Sequence, residues 1–185
     1  MANMLAYTIK GGINTGDFPV IYVGQGSSKK TFAPASPSDD SYWFYFLDSS
    51  NPQNKVYDIV VPASNNTTVP AGIDTYMNNP GLLFGFVTQY LSTLHVPQGA
   101  LYTYLAQYGA GRALQKLEQI NATMGCGYFG RMSYALIGQC GPRGGPNPPP
   151  ASYDAGSLSH QALLEFSLMP VNGNPPYFIC DCNTF

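Results

Sequence analysis

Charge is what this sequence has least of. Lys, Arg, Asp and Glu make up 10% of its 185 residues, against roughly 25% in an average soluble domain. The formal net charge is −2 and the one basic doublet is Lys29-Lys30. Nucleic acid is therefore not an expected partner, because phosphate neutralisation needs clustered cations. Long apolar runs are also missing. None approaches the roughly 20 residues that a membrane-crossing helix requires, so no membrane insertion is expected. Met1 to Lys10 lacks a basic stretch followed by an apolar one, so no signal peptide is visible there. Histidine is scarce, with only His95 and His160, which restricts general-base and metal chemistry.

What is abundant is tyrosine (14), phenylalanine (10), glycine (20) and proline (16). A surface poor in charge and rich in phenol relies on hydroxyls, amides and ring faces for contact. Extracellular domains, sugar binders and subunits that pack against their own copies have such surfaces. The composition thus predicts an extracellular or particle-surface location. The length suits one domain with a substantial core.

Four cysteines stand at Cys126, Cys140, Cys180 and Cys182. An even count favours two disulfides over four free thiols. A bond between Cys180 and Cys182, one residue apart, is strained. The expected bridges join each of them to Cys126 or Cys140, stapling the C-terminal tail to the domain. No metal site is expected. The tail spacing is too short for the usual zinc pattern, and neither histidine neighbours a cysteine.

Hydrophobic patterning predicts strands over 2–9 and 18–23, joined by a turn from Gly11-Gly12 to Gly16. Residues 24–40 read as a Ser/Pro/Gly linker. Tyr42-Trp-Phe-Tyr-Phe-Leu47 is a strand apolar on both faces, so it is either sandwiched or set against a partner. A turn at Ser49 to Asn54 leads to a second strand, Lys55 to Val61. Asn79-Pro80 reads as a helix start, and Leu82, Phe86, Tyr90 and Leu94 repeat at helical spacing. Residues 100–107 read as a strand. Gly109 and Gly111 open a second helix through Leu114, Leu117 and Ile120. Strands follow over 131–139, 163–169 and 176–182, with residues 141–156 as a Gly/Pro loop. The class is α+β: antiparallel β-sheets packed with two helices, with β-rich terminal extensions.

Catalytic motifs are weak. Gly24-Gln-Gly-Ser-Ser-Lys-Lys-Thr31 follows a strand, but Lys29 stands where a phosphate loop needs glycine, and prolines follow where it needs a helix. No serine sits in a Gly-x-Ser-x-Gly elbow. His95 reads as the end of the first helix, capping carbonyls, and His160 as a surface residue. The acids are scattered, with Asp39-Asp40 in a loop. No catalytic residue, cofactor or enzyme activity is expected.

From Tyr42 to Gly141 the chain resembles the interleukin-like EMT inducer/PANDER domain family. Gly72-Ile-Asp-Thr-Tyr76, the run from Phe86 to Leu91, Pro97 to Ala106, and Gly130-Arg-Met-Ser-Tyr-Ala-Leu-Ile-Gly138 match its elements in order. The last is similar to the family's Arg-Asp-Ser-Trp-Ala-Leu-Ile-Gly strand and is the most specific. The resemblance implies a non-catalytic α+β domain of secreted, cytokine-like proteins, with relatives that bind carbohydrate. It divides the chain into residues 1–40 as an extension and linker, 41–141 as the core domain, and 142–185 as a loop and closing strands. In the sugar-binding relatives the motif's arginine helps hold the sugar, and Arg131 matches it. Met132 and Tyr134 replace the motif's aspartate and tryptophan, and Tyr108-Gly109 stands where the family has acids. The implied ligand residues are Arg131, Tyr108, Tyr134 and Asp74, and the implied partner is a glycan or glycoprotein. The alternative reading is a self-assembling subunit of a filament, coat or appendage, its partners copies of itself.

Overall fold

A computed structural model describes residues 4–124, 130–143 and 152–184, and for Met124, Val171 and residues 181–184 only the backbone. The strands are β1 (Leu5–Lys10), β2 (Val20–Val23), β3 (Lys30–Phe32), β4 (Ser41–Asp48), β5 (Asn51–Pro62) and β6 (Leu82–Gln89). Then come β7 (Leu91–Ser92), β8 (Arg131–Gln139), β9 (Ser152–Ser157), β10 (Leu163–Val171) and β11 (Asn174–Thr184). The helices are α1 (Asp74–Met77), α2 (Gly99–Gln107) and α3 (Arg112–Met124). No helix among the described residues is long and apolar enough to cross a membrane.

The strands form two antiparallel sheets. The outer sheet runs β11-β10-β1-β2-β3; the central one runs β5-β4-β6-β8, with β7 and β9 also paired to β8. Strand alternation explains why β4 is apolar throughout. Tyr42, Phe44 and Phe46 enter a core shared with α1, α2 and α3, while Trp43, Tyr45 and Leu47 enter a second core against the outer sheet. The same split holds for Phe84 and Phe86 against Leu83 and Val87 in β6, and for Tyr134 and Leu136 against Ala135 and Ile137 in β8. The molecule is thus three layers: outer sheet, central sheet, helices. Of the two expectations for β4, sandwiching is the one realised, and it happens within the chain.

Gly85 is fixed by this packing. The Tyr45 ring lies where a Cβ on residue 85 would stand, and the Tyr45 and Tyr7 hydroxyls hydrogen-bond across the buried sheet interface. Gly11 and Gly12 stitch the two sheets at one end. Gly11 N donates to Ala162 O at 2.8 Å, Gly12 N to Thr88 O at 3.0 Å, and Tyr90 N to Gly12 O at 3.0 Å.

Two expected elements exchange type. Residues 82–89, predicted helical, are the fully buried strand β6 between β4 and β8. A short apolar run fits both periods, and the slot between two apolar strands decides it. Asn79-Pro80 is accordingly a turn, in which Asn79 Oδ1 accepts from Gly81 N. Residues 100–107, predicted as a strand, belong to α2. Leu101 and Leu105, one turn apart, are its buried side. Gly109, at φ 99°, ends α2, and its missing Cβ leaves room for Ser152. The predicted α3 and β8 form as expected. Lys30–Phe32 of the expected linker is β3, and Ser152–Ser157 of the expected loop is β9.

The disulfide staple does not run through Cys140 or Cys180, which are both free thiols. Cys140 is buried in the helix-side core, where burial pushes its thiol pKa upward. Cys180 is exposed on β11 of the outer sheet. Cys126 and the Cys182 side chain lie outside the described residues.

Candidate functional site

The four residues implied as ligand contacts fall in three places. Arg131 opens β8 and is engaged by its neighbours. Its Nη1 donates to Tyr90 O at 3.2 Å and lies 3.9 Å from Asp40 Oδ1, while its guanidinium sits 4.2 Å from the Tyr90 ring centroid. Asp40 holds this end of the molecule together. Its Oδ1 accepts from Ser92 N at 2.7 Å and its Oδ2 lies 2.5 Å from His95 Nδ1. The Tyr42 hydroxyl donates to His95 O, and burial together with Asp40 raises the Tyr42 pKa. Asp40 and Tyr90 both have left-handed backbones, at φ 55° and 44°, a strain that the surrounding contacts sustain. Thus His95 caps no helix: it belongs to a 3-10 turn, Thr93–His95, paired to Asp40.

Tyr134 is wholly buried, its hydroxyl donating to Asp154 Oδ2 at 3.1 Å. The same carboxylate oxygen accepts from Gly111 N at 2.8 Å and Leu114 N at 3.2 Å, capping α3 from β9. Burial and the adjacent Asp154 raise the Tyr134 pKa. No ligand reaches this phenol without opening the core.

Asp74 and Tyr108 do lie near each other, joined through Tyr104. The Tyr104 hydroxyl donates to Asp74 Oδ1 at 2.7 Å, and Tyr108 donates to Asn78 Oδ1 at 3.1 Å. The guanidinium of Arg143 sits 4.6 Å from the Tyr108 centroid. Tyr108 is 3% exposed, so it offers no face for sugar stacking. This cluster fastens α1 and α2 to the sheet.

A different place has open, uncommitted chemistry. A groove of about 400 Å³ runs between the start of α2 and one face of α3, lined by Gln98, Gly99, Tyr102, Gln115, Glu118 and Gln119. Helical spacing brings these together. Gln115, Glu118 and Gln119 are three and four residues apart, and Gln98 and Tyr102 are likewise one turn apart. Gly99, Gln115 and Gln119 are exposed, whereas Gln98, Tyr102 and Glu118 are half-buried. Several amide side chains elsewhere have structural work. Asn66 Nδ2 holds Leu94 O and Val96 O, Gln53 Nε2 holds Ser28 O, and Gln89 Nε2 holds Asn14 O. Among the described residues, the side-chain heads of Gln98, Gln115, Glu118 and Gln119 make no such bonds. Three amides, a carboxylate and a phenol ring facing one groove can accept and donate to several hydroxyls while an apolar face lies on the ring.

Sequence reasoning missed this groove because it read residues 100–107 as a strand, which would have turned Tyr102 away from α3. The glutamine spacing on α3 was the available signal. Among the described residues, no three His, Cys, Asp or Glu side chains are grouped so as to hold a metal. A scan against protein-family models and a search of curated proteins found no match to this chain.

Proposed function

We propose that this chain is a non-catalytic, lectin-like recognition protein that binds neutral oligosaccharides in the groove between α2 and α3. One observation carries the reading: the uncommitted side chains of Gln98, Gln115, Glu118 and Gln119 line one groove with Tyr102, which is half-buried against the helix-side core. Sugar sites need paired donors and acceptors beside an aromatic face, and the groove's size falls within the range of small-ligand sites. The resemblance of residues 42–141 to the interleukin-like EMT inducer/PANDER family supports the same class, as does a charge-poor, tyrosine-rich composition. The reading places the protein outside the cell or on a particle surface.

It also moves the site. Arg131 matches the family's sugar-holding arginine, yet its Nη1 is hydrogen-bonded to Tyr90 O and its guanidinium lies over the Tyr90 ring beside Asp40. Calorimetric titration with neutral oligosaccharides is the test. Tyr102→Ala is expected to weaken binding at least tenfold, and Arg131→Ala to leave it within twofold. Loss of binding on Arg131→Ala alone would return the site to the family position.

Self-assembly is the second reading. A doubly apolar β4 and strand-like termini able to add to a neighbour's sheet would favour it. The chain's own layers cover both faces of β4, and β1 pairs with the chain's own β10. Those features therefore need no partner copy.

A further inference from the structure

We infer that Glu118 sets the ligand class of the α2–α3 groove: the carboxylate selects uncharged sugars that present a vicinal diol, and it turns away uronates and sialic acids. This rests on the glycan reading above and extends it to specificity.

Among the described residues, Glu118 is the one charged residue in the groove lining. It is half-buried, and among the described residues it has no ion-pair or hydrogen-bond partner. The nearest cations along α3, Arg112 and Lys116, are exposed and stand outside the lining. A carboxylate is acceptor-only, with two oxygens that can each take a hydroxyl proton. Adjacent ring hydroxyls supply two donors at that spacing, and hydrogen bonds to an ionised acceptor are the strong ones. An anionic sugar brings a second carboxylate to a lining that holds no cation among the described residues, and like charges repel in a partly desolvated space. The three glutamines do not share this preference, since an amide both donates and accepts and so pairs with either hydroxyl role. Specificity at this site therefore comes from one repulsive element as much as from attraction.

The position on α3 is also consistent with a recognition role. Leu114 and Leu117 are buried against the helix-side core, and Glu118, one turn from Leu114, stands half-buried at the edge of that face beside exposed Gln115 and Gln119. Glu118 can thus be changed without opening the core.

The test is a titration of the wild-type protein, Glu118→Gln and Tyr102→Ala. The probes are cellopentaose, maltopentaose and xylopentaose as neutral ligands, with trigalacturonate and sialyllactose as acidic ones. The expected result is Tyr102-dependent binding of at least one neutral probe by the wild type, and acidic probes at least tenfold weaker. Glu118→Gln should narrow that gap by at least fivefold, through weaker neutral binding, stronger acidic binding or both. If a neutral probe binds and Glu118→Gln leaves the ratio unchanged, the inference about Glu118 is overturned while the glycan reading stands. If acidic probes bind the wild type as well as neutral ones do, the inference again fails alone. If no probe binds in a Tyr102-dependent way, both fall. Circular dichroism of each variant confirms that α3 is intact.

Discussion

At the residue scale, Asp40 illustrates how a polar group can be conspicuous without being a ligand contact. It stands at a strained φ, carries three neighbours, and ties the entry of β4 to β7 and to the turn at His95. Removing it leaves Ser92 N and His95 Nδ1 without their acceptor and puts alanine in a left-handed conformation that it resists. Asp40→Ala is expected to cost about 1–3 kcal/mol, read as a lowered urea midpoint. Asp40→Asn, which tolerates that conformation and keeps an acceptor oxygen, should cost less. Equal losses in the two variants would mean that the charge, not the backbone and its bond, sets the effect. Arg131 belongs to the same knot. A motif match named it as a contact, but sequence cannot reveal that Tyr90 O takes one of its donors and that its guanidinium lies over the Tyr90 ring.

At the element scale, α3 depends on a cap that is remote in sequence. Asp154 comes from β9 and accepts from Gly111 N and Leu114 N. Asp154→Ala should therefore cost about 1–2 kcal/mol for the cap alone, visible as a lower thermal midpoint and reduced helical signal. The buried Tyr134 hydroxyl loses its partner too, which adds to the loss. Retention of full stability would show that the cap is dispensable. The legibility of elements follows the same logic of local against distant determinants. β4, β8, β10 and α3 were readable because their own patterns suffice. β6 and α2 were not, since each pattern admits both periods and only the neighbours choose: β4 and β8 for the first, the helix-side core for the second. The groove was lost with α2, because a binding face built from two helices cannot be seen when one of them is taken for a strand.

At the scale of the whole molecule, two cores flank one central sheet, and both contain phenols or thiols that resist ionisation. Burial raises the pKa values of Tyr7, Tyr45, Tyr134 and Cys140. In the unfolded chain these groups ionise near their ordinary values, about pH 9 to 10. Below that window both states hold the protons and stability is unaffected. Above it the unfolded state alone releases them, so stability falls as pH rises. Each such group contributes about 1.4 kcal/mol of loss per pH unit. Urea midpoints from pH 8 to 11.5 should stay level and then drop steeply, with tyrosinate absorbance appearing together with unfolding. Substantial tyrosinate signal from all the phenols before unfolding would contradict the two-core packing. The outer sheet has one more consequence, for the order of assembly. Its centre joins β1 to β10, with Leu5 opposite Leu168, and these are the paired strands farthest apart in sequence. Closing so long a loop slows a transition state that needs it. A nascent chain can pair β4 with β5 and then β6 while still short, but β1 must wait until residues 11–171 have been made before its partner is complete.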